Sequence, residues 1–262
     1  MAATSALAAE VELIETGTLR VGSDLTYPPY NYLEAGEAAG FDPELLRAMA
    51  TRMGTQAKFL DTRFANLIVG VNARRYDVVA STLYVTAERA EQVDYVPYMK
   101  TGGSLVVDRS AAFQPRTAED LCGKRVASIK GASWIPKLES VSTEVCLPAG
   151  RTAIDVREYP TSPQATQALL VGAVDAQFED AAIAKMAVDQ TEGRLAISSD
   201  AVLFPAVVGL AVRKGNPTVL VALEQALQAL KDDGRYAALL ARYNVVEPTA
   251  ADIQAALAPV VK

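Results

Sequence analysis

The chain has 262 residues, half of them hydrophobic, and a net charge of −6, so it can bury a substantial core in one or two domains. Its acidic balance argues against a nucleic-acid partner. The sequence contains no histidine, which excludes Ser-His-Asp triads, Cys-His dyads and the commonest metal ligand. We therefore predict neither a metal site nor a cofactor, and the composition favours binding over catalysis.

Two features bear on the compartment. The N-terminal segment MAATSALAAEVELIETG has neither the basic start nor the apolar stretch of a signal peptide. Cys122 and Cys146 are the only cysteines. A bridge between them would contribute about 3.5 kcal/mol in the chain-entropy model and would persist only in an oxidising compartment. The alternative is two separate thiols in a cytosolic protein. We favour the disulfide, and with it an exported chain whose signal has been removed.

The first part of the chain alternates between strand and helix patterns. In chain order, we predict a strand at 19–24, a helix at 42–53, a strand at 57–61, a helix at 64–74 and a strand at 77–81. Asp42 is the predicted cap of the first helix, and Gly54 follows its end. The last of these strands is short and apolar, as buried parallel strands are.

A second alternating series follows Gly102-Gly103 and a short strand at 104–108. We predict strands at 125–129, 154–159 and 174–178, helices at 133–139, 162–171 and 181–188, a return strand at 207–213, and helices at 216–230 and 235–243. Two α/β series with a late return strand indicate two lobes with two crossovers near 104–110 and 200–206. The predicted division is 1–106 with 206–262 in lobe 1, and 107–205 in lobe 2.

Hydroxyls and a guanidinium lie together after the third strand. Ser81 and Thr82 end this strand, and Arg89 precedes a predicted turn at Pro97-Tyr98. Such a group can bind a small carboxylate through two parallel hydrogen bonds. The alternative for Arg89 is a solvated surface charge, as most arginines are.

This block also carries a family resemblance. The matching segments are Gly40-Phe-Asp-Pro-Glu-Leu45, Thr86-Ala-Glu-Arg89, Val93-Asp-Tyr-Val-Pro-Tyr98, Asp120-Leu-Cys-Gly-Lys124, Gly131-Ala-Ser133, and Gly172-Ala-Val-Asp-Ala176 with Asp180. Together they resemble the extracytoplasmic solute-binding proteins of family 3, the polar amino-acid receptors of bacterial ABC importers. The resemblance covers roughly residues 18–245. It implies a type II periplasmic-binding-protein fold, in which two α/β lobes joined by hinge crossovers enclose a ligand cleft.

The resemblance also assigns roles to residues. Arg89, with Thr82, would bind the carboxylate of an amino acid, and Ser133 would donate to the same group from a helix N-terminus. Asp180 and the Ser81 carbonyl would bind the α-ammonium group. Asp180 is equally suited to cap the helix that follows it, and both roles can hold together.

Aromatic residues and one further acid complete the predicted site. Tyr27 and Phe64 match positions that enclose the ligand, and Trp134 is expected at the pocket wall. Tyr84 departs from relatives that have serine there, so it would shrink the pocket or bond a polar ligand tail. Asp24 matches an aspartate that binds the side chain of basic amino acids, which points to a ligand with a positive tail. Its alternative role is to cap the turn at 26–30.

We thus predict a monomeric periplasmic receptor that passes an amino acid to an ABC importer permease. Two alternatives share the fold. One is an enzyme similar to cyclohexadienyl dehydratases, for which Glu179 is the obvious extra acid. The other is a sensor module related to membrane receptors, whose cleft chemistry would be the same.

Overall fold

The computed structural model describes residues 11–258. The prediction for the N-terminal segment, and both ends of the first predicted lobe, extend outside this range. The strands are β1 (Thr18–Ser23), β2 (Thr26–Tyr27), β3 (Asn31–Glu34), β4 (Glu37–Ala39), β5 (Gln56–Asp61), β6 (Val78–Val79), β7 (Val93–Asp108), β8 (Arg125–Ile129), β9 (Asp155–Tyr159), β10 (Ala176–Asp180), β11 (Leu195–Ile197) and β12 (Leu203–Arg213). The helices are α1 (Phe41–Arg52), α2 (Leu67–Asn72), α3 (Ala87–Ala90), α4 (Ile135–Val141), α5 (Ser162–Leu170), α6 (Ala181–Gln190), α7 (Pro217–Asp232), α8 (Arg235–Tyr243) and α9 (Ala250–Leu257).

Two long strands connect the halves of the molecule. Among the described residues, one sheet runs in the order β5-β1-β6-β12-β7-β10-β8-β9, with β11 paired to β7. The first half of β7 pairs with β12, whereas the second half pairs with β10 and β11. Strand β7 therefore changes partners near Gly102-Gly103, and β12 ends at the same level. The two-lobed α/β fold is confirmed, while the residue-by-residue division between the lobes stays a prediction.

A glycine at this crossing allows close packing. A Cβ on Gly103 would lie 2.2 Å from the Phe178 ring. Because Gly103 has no side chain, the Phe178 ring of β10 packs directly against the backbone of β7. Phe178 in turn packs on Trp134 and Phe204, with ring centroids 5.5 and 5.4 Å apart. The apolar cluster at the crossing thus contains side chains from three separate parts of the sequence.

Apolar side chains on both faces of the sheet explain the parallel strands. Leu19 and Val21 of β1 pack in one core with residues of α1 and α7. On the opposite face, Leu67 and Val71 of α2 pack against Val79. Burial on both faces requires continuous apolar runs, which is why short strands such as β6 were predictable from sequence.

Most predicted elements are confirmed, and the misses have local causes. Strand β8 has the predicted bounds, and α5 ends one residue early. The predicted turn at Pro97-Tyr98 is wrong, because both residues lie inside β7. There the β12 register shifts between Val208 and Gly209, and Gly209 faces Pro97. A bulge of this kind tolerates a proline that cannot donate to the ladder. The small sheet of β2, β3 and β4 was not predicted.

Asp42 does not cap α1 as predicted. The cap position is Gly40, at φ 107°, where a Cβ would lie 2.4 Å from the Tyr30 carbonyl oxygen. The Asp42 carboxylate is instead fully buried and accepts hydrogen bonds from the Tyr98 hydroxyl, Asn31 Nδ2 (2.7 Å) and the Thr82 amide (2.8 Å). Burial raises its pKa. The Asp42 carboxylate therefore connects α1 to Thr82, at the strand end where the site is predicted.

The second lobe contains the disulfide between Cys122 and Cys146. Cys122 follows a 3₁₀ turn at Ala118–Leu121, and Cys146 ends a π-helical turn that extends α4. The bridge therefore joins two irregular segments at one end of the lobe. Because the two residues are 24 positions apart, it closes a sizeable loop in the unfolded chain.

Reduction of this disulfide should lower the free energy of unfolding by about 3.5 kcal/mol, because the unfolded chain regains loop entropy. Urea unfolding with and without a reducing agent measures this loss. The double variant C122S/C146S, which lacks thiols, should unfold at the same urea concentration in both conditions. A wild-type midpoint that is insensitive to reduction would contradict the expectation.

Asp42→Asn should destabilise the chain by about 2 kcal/mol, although the side chains have nearly the same shape. The carboxylate accepts hydrogen bonds on both oxygens, whereas an amide accepts on only one, so the new NH₂ group would face either the Asn31 and Thr82 donors or the Tyr98 hydroxyl, and the charge-assisted bonds would be lost. Urea unfolding checks the prediction. Asp94→Asn is the matched control at a partly exposed aspartate paired with Lys214, where the loss should stay below about 1 kcal/mol.

Candidate ligand-binding cleft

Arg89 lies at the boundary between the lobes and is 9% exposed. It lies in α3, whose N-cap Thr86 accepts a hydrogen bond from the Arg89 amide. Its Nη1 donates to the Tyr84 carbonyl (2.8 Å), and its Nη2 donates across the cleft to the Gly131 carbonyl (2.9 Å). Burial lowers its pKa. The arginine is therefore not a solvated surface charge.

No ion pair found among residues 11–258 includes Arg89. Its guanidinium instead lies over the Phe64 ring, 5.6 Å from the ring centroid. A cavity of about 720 Å³ opens beside it, and Tyr84 and Ser133 line the same space. A buried cation that has only neutral partners suits an incoming anion, because the anion adds the charge that the carbonyls lack.

Two adjacent carboxylates face Arg89's lobe from the second lobe. Glu179 and Asp180 end β10, and both are fully buried. Burial raises the pKa of each carboxyl. Asp180 also caps α6 by accepting from the Ala182 amide (3.1 Å). The helix-cap role is therefore present, as the sequence allowed.

Phenols from the first lobe bind both carboxylates. Tyr27 donates to Glu179 Oε1 (2.6 Å), and Tyr84 donates to Asp180 Oδ2 (2.6 Å). Burial, reinforced by the nearby carboxylates, raises the pKa of both phenols well above 10.0, so they remain donors. The two bonds connect the lobes directly across the cleft.

The sequence did not identify the other donors to these carboxylates. Thr101 donates to Asp180 Oδ2 (2.8 Å), and Ser162 donates to Glu179 Oε2 (2.5 Å). Thr101 directly precedes the glycines of the crossing, and Ser162 begins α5. The sequence around each of these residues predicts a loop or the start of a helix. No local pattern indicates that either residue contacts Glu179 or Asp180.

Trp134, which is predicted at the pocket wall, is buried beside Tyr84, and its contact with a ligand stays a prediction. Its ring lies edge-on to Tyr84, with centroids 5.7 Å apart, and its Nε1 donates to Ser128 (2.8 Å). Ser133 is half-buried at the cavity beside Arg89. These residues precede α4, so the loop after β8 supplies the second lobe's contribution near Arg89.

The polar groups of the remaining predicted residues form hydrogen bonds and ion pairs within the first lobe. Asp24 is buried and contacts Arg63 (2.8 Å), the Thr26 hydroxyl (2.7 Å) and the Phe64 amide (2.8 Å). Asp24 thus caps the turn at Thr26, and a cation of the chain itself lies on its carboxylate. Burial still raises its pKa.

Ser81 and Thr82 are also used locally. The Ser81 hydroxyl accepts from the Asp24 amide (2.9 Å). The Thr82 amide donates to Asp42, and its hydroxyl accepts from Asn31 (3.2 Å). The Thr82 amide is therefore not available to a ligand carboxylate in this conformation. Ligand contact by either residue stays a prediction.

The described residues contain no group of three or more potential metal ligands. Within 11–258, no helix combines the length and apolar character that crossing a membrane requires.

Comparisons with known proteins agree with this geometry. Residues 19–246 match the model of the bacterial extracellular solute-binding proteins, family 3. The chain is 31% identical over 227 residues to the L-cystine-binding protein TcyJ of Escherichia coli K12, covering 86% of this chain and 82% of that protein.

Two solved structures are also similar. An ancestral arginine-binding protein bound to arginine is 31% identical, with a TM-score of 0.79 over 87% of this chain and 98% of the other. The ancestral amino acid-binding protein AncCDT-1, a precursor of cyclohexadienyl dehydratase, is 27% identical, with a TM-score of 0.74 over 87% and 95% of the two chains. With nearly the whole fold covered by the family model, this chain belongs to the bacterial extracellular solute-binding proteins of family 3.

Proposed function

We propose that the chain is the periplasmic substrate-binding receptor of an ABC importer and that it binds a free amino acid between its lobes. The observation that carries this proposal is Arg89, a buried guanidinium with carbonyl partners beside an open cavity. Membership in family 3, with relatives named as amino-acid-binding proteins, supports it.

The two charges of an amino acid match the two sides of the cleft. Arg89 binds the α-carboxylate, and the half-buried Ser133 adds a hydroxyl from the second lobe. Asp180 binds the α-ammonium group, with the Ser81 carbonyl as a further acceptor. Each charge then has an opposite partner, which is the condition for burying a zwitterion. Tyr27, Phe64 and Trp134 supply the apolar walls.

The proposed ligand class is broader than basic amino acids. A cationic side chain would bind Asp24 only after displacing Arg63, whose Nη1 is 2.8 Å from that carboxylate. Asp24 therefore supplies no vacant negative charge in this conformation. We propose free amino acids as the class and choose the ligand panel accordingly, from basic side chains to disulfide-containing ones.

Binding acts through lobe closure. A ligand that contacts Arg89 in one lobe and Asp180 in the other favours the closed form over the open one. The closed monomer would then be the form that the membrane permease binds. This mechanism requires contact with both lobes but no chemical step.

Glu179 fits a structural role better than a catalytic one. Its Oε1 accepts from Tyr27 and the Asp180 amide, and its Oε2 accepts from Ser162 and Gln177. An acid that protonates a leaving group must have an oxygen within reach of the substrate. Both oxygens of Glu179 are instead used inside the protein, so we favour binding over dehydration.

A thermal-shift panel followed by calorimetry tests the proposal. An amino acid at 100 times its Kd should stabilise the wild type by about 2.7 kcal/mol. Arg89→Lys and Asp180→Asn should each weaken binding at least about 30-fold, because each removes a charge-assisted contact. Arg116→Ala, at an exposed arginine paired with Asp200, is the matched control and should bind like wild type. Undiminished binding in both cleft variants would refute the proposed site.

The affinity for an amino acid should fall as the pH is lowered. The pKa of Asp180 lies above its ordinary 3.8, and only the ionised carboxylate pairs with an ammonium group. Binding is therefore complete above the raised pKa and weakens as the pH falls through it. Calorimetry at several pH values between about 4 and 8 measures this decline. An affinity that rises on acidification would count against Asp180 as the ammonium partner.

A further inference from the structure

The hydrogen-bonding capacity of Asp180 is already used by the protein itself. Oδ2 accepts from the Tyr84 phenol (2.6 Å) and the Thr101 hydroxyl (2.8 Å), while Oδ1 accepts from the Ala182 amide (3.1 Å). The residue is fully buried. An ammonium group that binds Oδ2 must therefore displace either the Tyr84 or the Thr101 hydroxyl, because that oxygen already accepts two hydrogen bonds.

Of the two hydroxyls on Oδ2, the Tyr84 phenol belongs to a residue that lines the cavity beside Arg89, whereas Thr101 does not line it. The Ala182 amide is part of α6, and Thr101 lies in β7 at the crossing. Tyr84 joins β12 only through an isolated bridge to Val208 and lies outside the regular strands. Because Tyr84 lines the cavity beside Arg89, there is space next to this residue for a displaced phenol.

We propose that Tyr84 is an internal competitor for the ligand's ammonium group and thereby determines which ligands bind. The inference rests on the proposed amino-acid-binding function. In this structure, the phenol occupies Asp180 and connects the lobes. An amino acid must replace the Tyr84–Asp180 hydrogen bond with a bond from its own ammonium group. The free energy that this group adds to binding is therefore reduced by the free energy of the hydrogen bond that is lost.

This competition has a specific consequence for ligand preference. A carboxylic acid without an α-amino group can bind Arg89 while Tyr84 stays on Asp180. The wild type should therefore prefer an amino acid over its deamino analogue, in which hydrogen replaces the ammonium group, by a smaller factor than a variant without the phenol does. Removing the phenolic hydroxyl should increase this preference, because Asp180 then has one competing donor fewer.

Tyr84→Phe tests the inference with the least change of shape. We expect it to lower the Kd of the best amino acid about tenfold, as loss of a hydrogen bond to a charged group implies. The Kd of the deamino analogue should change less than about twofold. Calorimetry with both compounds gives the ratio, and thermal unfolding confirms that the variant is folded.

Tyr27→Phe is the matched control. It removes the other phenol–carboxylate bond between the lobes, to Glu179, and leaves the donors of Asp180 in place. If looser closure alone alters affinity, both variants should change the Kd of the amino acid and of its analogue by the same factor. A tighter complex confined to Tyr84→Phe and to the amino acid supports competition.

The outcomes separate the inference from the function on which it rests. If the wild type binds an amino acid and Tyr84→Phe binds it more weakly, the phenol contacts the ligand. If the two bind it equally, the phenol has no effect on affinity. Either result shows that the inference is wrong. If both compounds respond equally, Tyr84 affects closure only, which also overturns it. If wild type and variants bind neither compound, the proposed function fails and the inference fails with it.

Discussion

Burying an ionisable group requires a hydrogen-bonding partner, and for three ionisable groups of the cleft one such partner comes from the opposite lobe. Arg89 of the first lobe donates to Gly131 of the second. Glu179 and Asp180 of the second lobe accept from Tyr27 and Tyr84 of the first. These three charged groups of the cleft therefore each have a partner in the opposite lobe. Closure satisfies these groups together, whereas opening exposes them to water, so the two states can lie close in free energy.

The scaffold is built to allow this exchange. Strand β7 runs from one lobe to the other and changes partners beside Gly103, where β12 begins. Thr101, on the same strand, donates to Asp180, so the crossing is bonded directly to the carboxylate proposed to receive the ligand. A rearrangement at Asp180 therefore acts on the strand at the point where the lobes meet. This contact gives ligand binding a short physical route to lobe movement.

The sequence was sufficient where local pattern determines structure and insufficient where distant segments do. Strand β8 and helix α5 follow from apolar periodicity. The roles of Arg89 and Asp180 come from the family resemblance and stay predictions, while the structure shows that both residues are buried. Pro97 was assigned to a turn because its strand pairing depends on β12, more than a hundred residues later in the chain. Likewise, neither the Tyr84–Asp180 bond nor the Arg63–Asp24 pair follows from spacing, because each depends on how side chains meet after folding.

These two pairs change the interpretation of the site's acids. A list of residues suggests vacant carboxylates at Asp24 and Asp180 that attract positive ligand groups. In the folded chain, Arg63 and Tyr84 already occupy them, so Arg89 is the buried charge that gains most from a ligand. The carboxylate of the ligand would then provide the common anchor. The ammonium group and side chain would determine selectivity through what they displace, because specificity is a difference between affinities rather than a count of contacts.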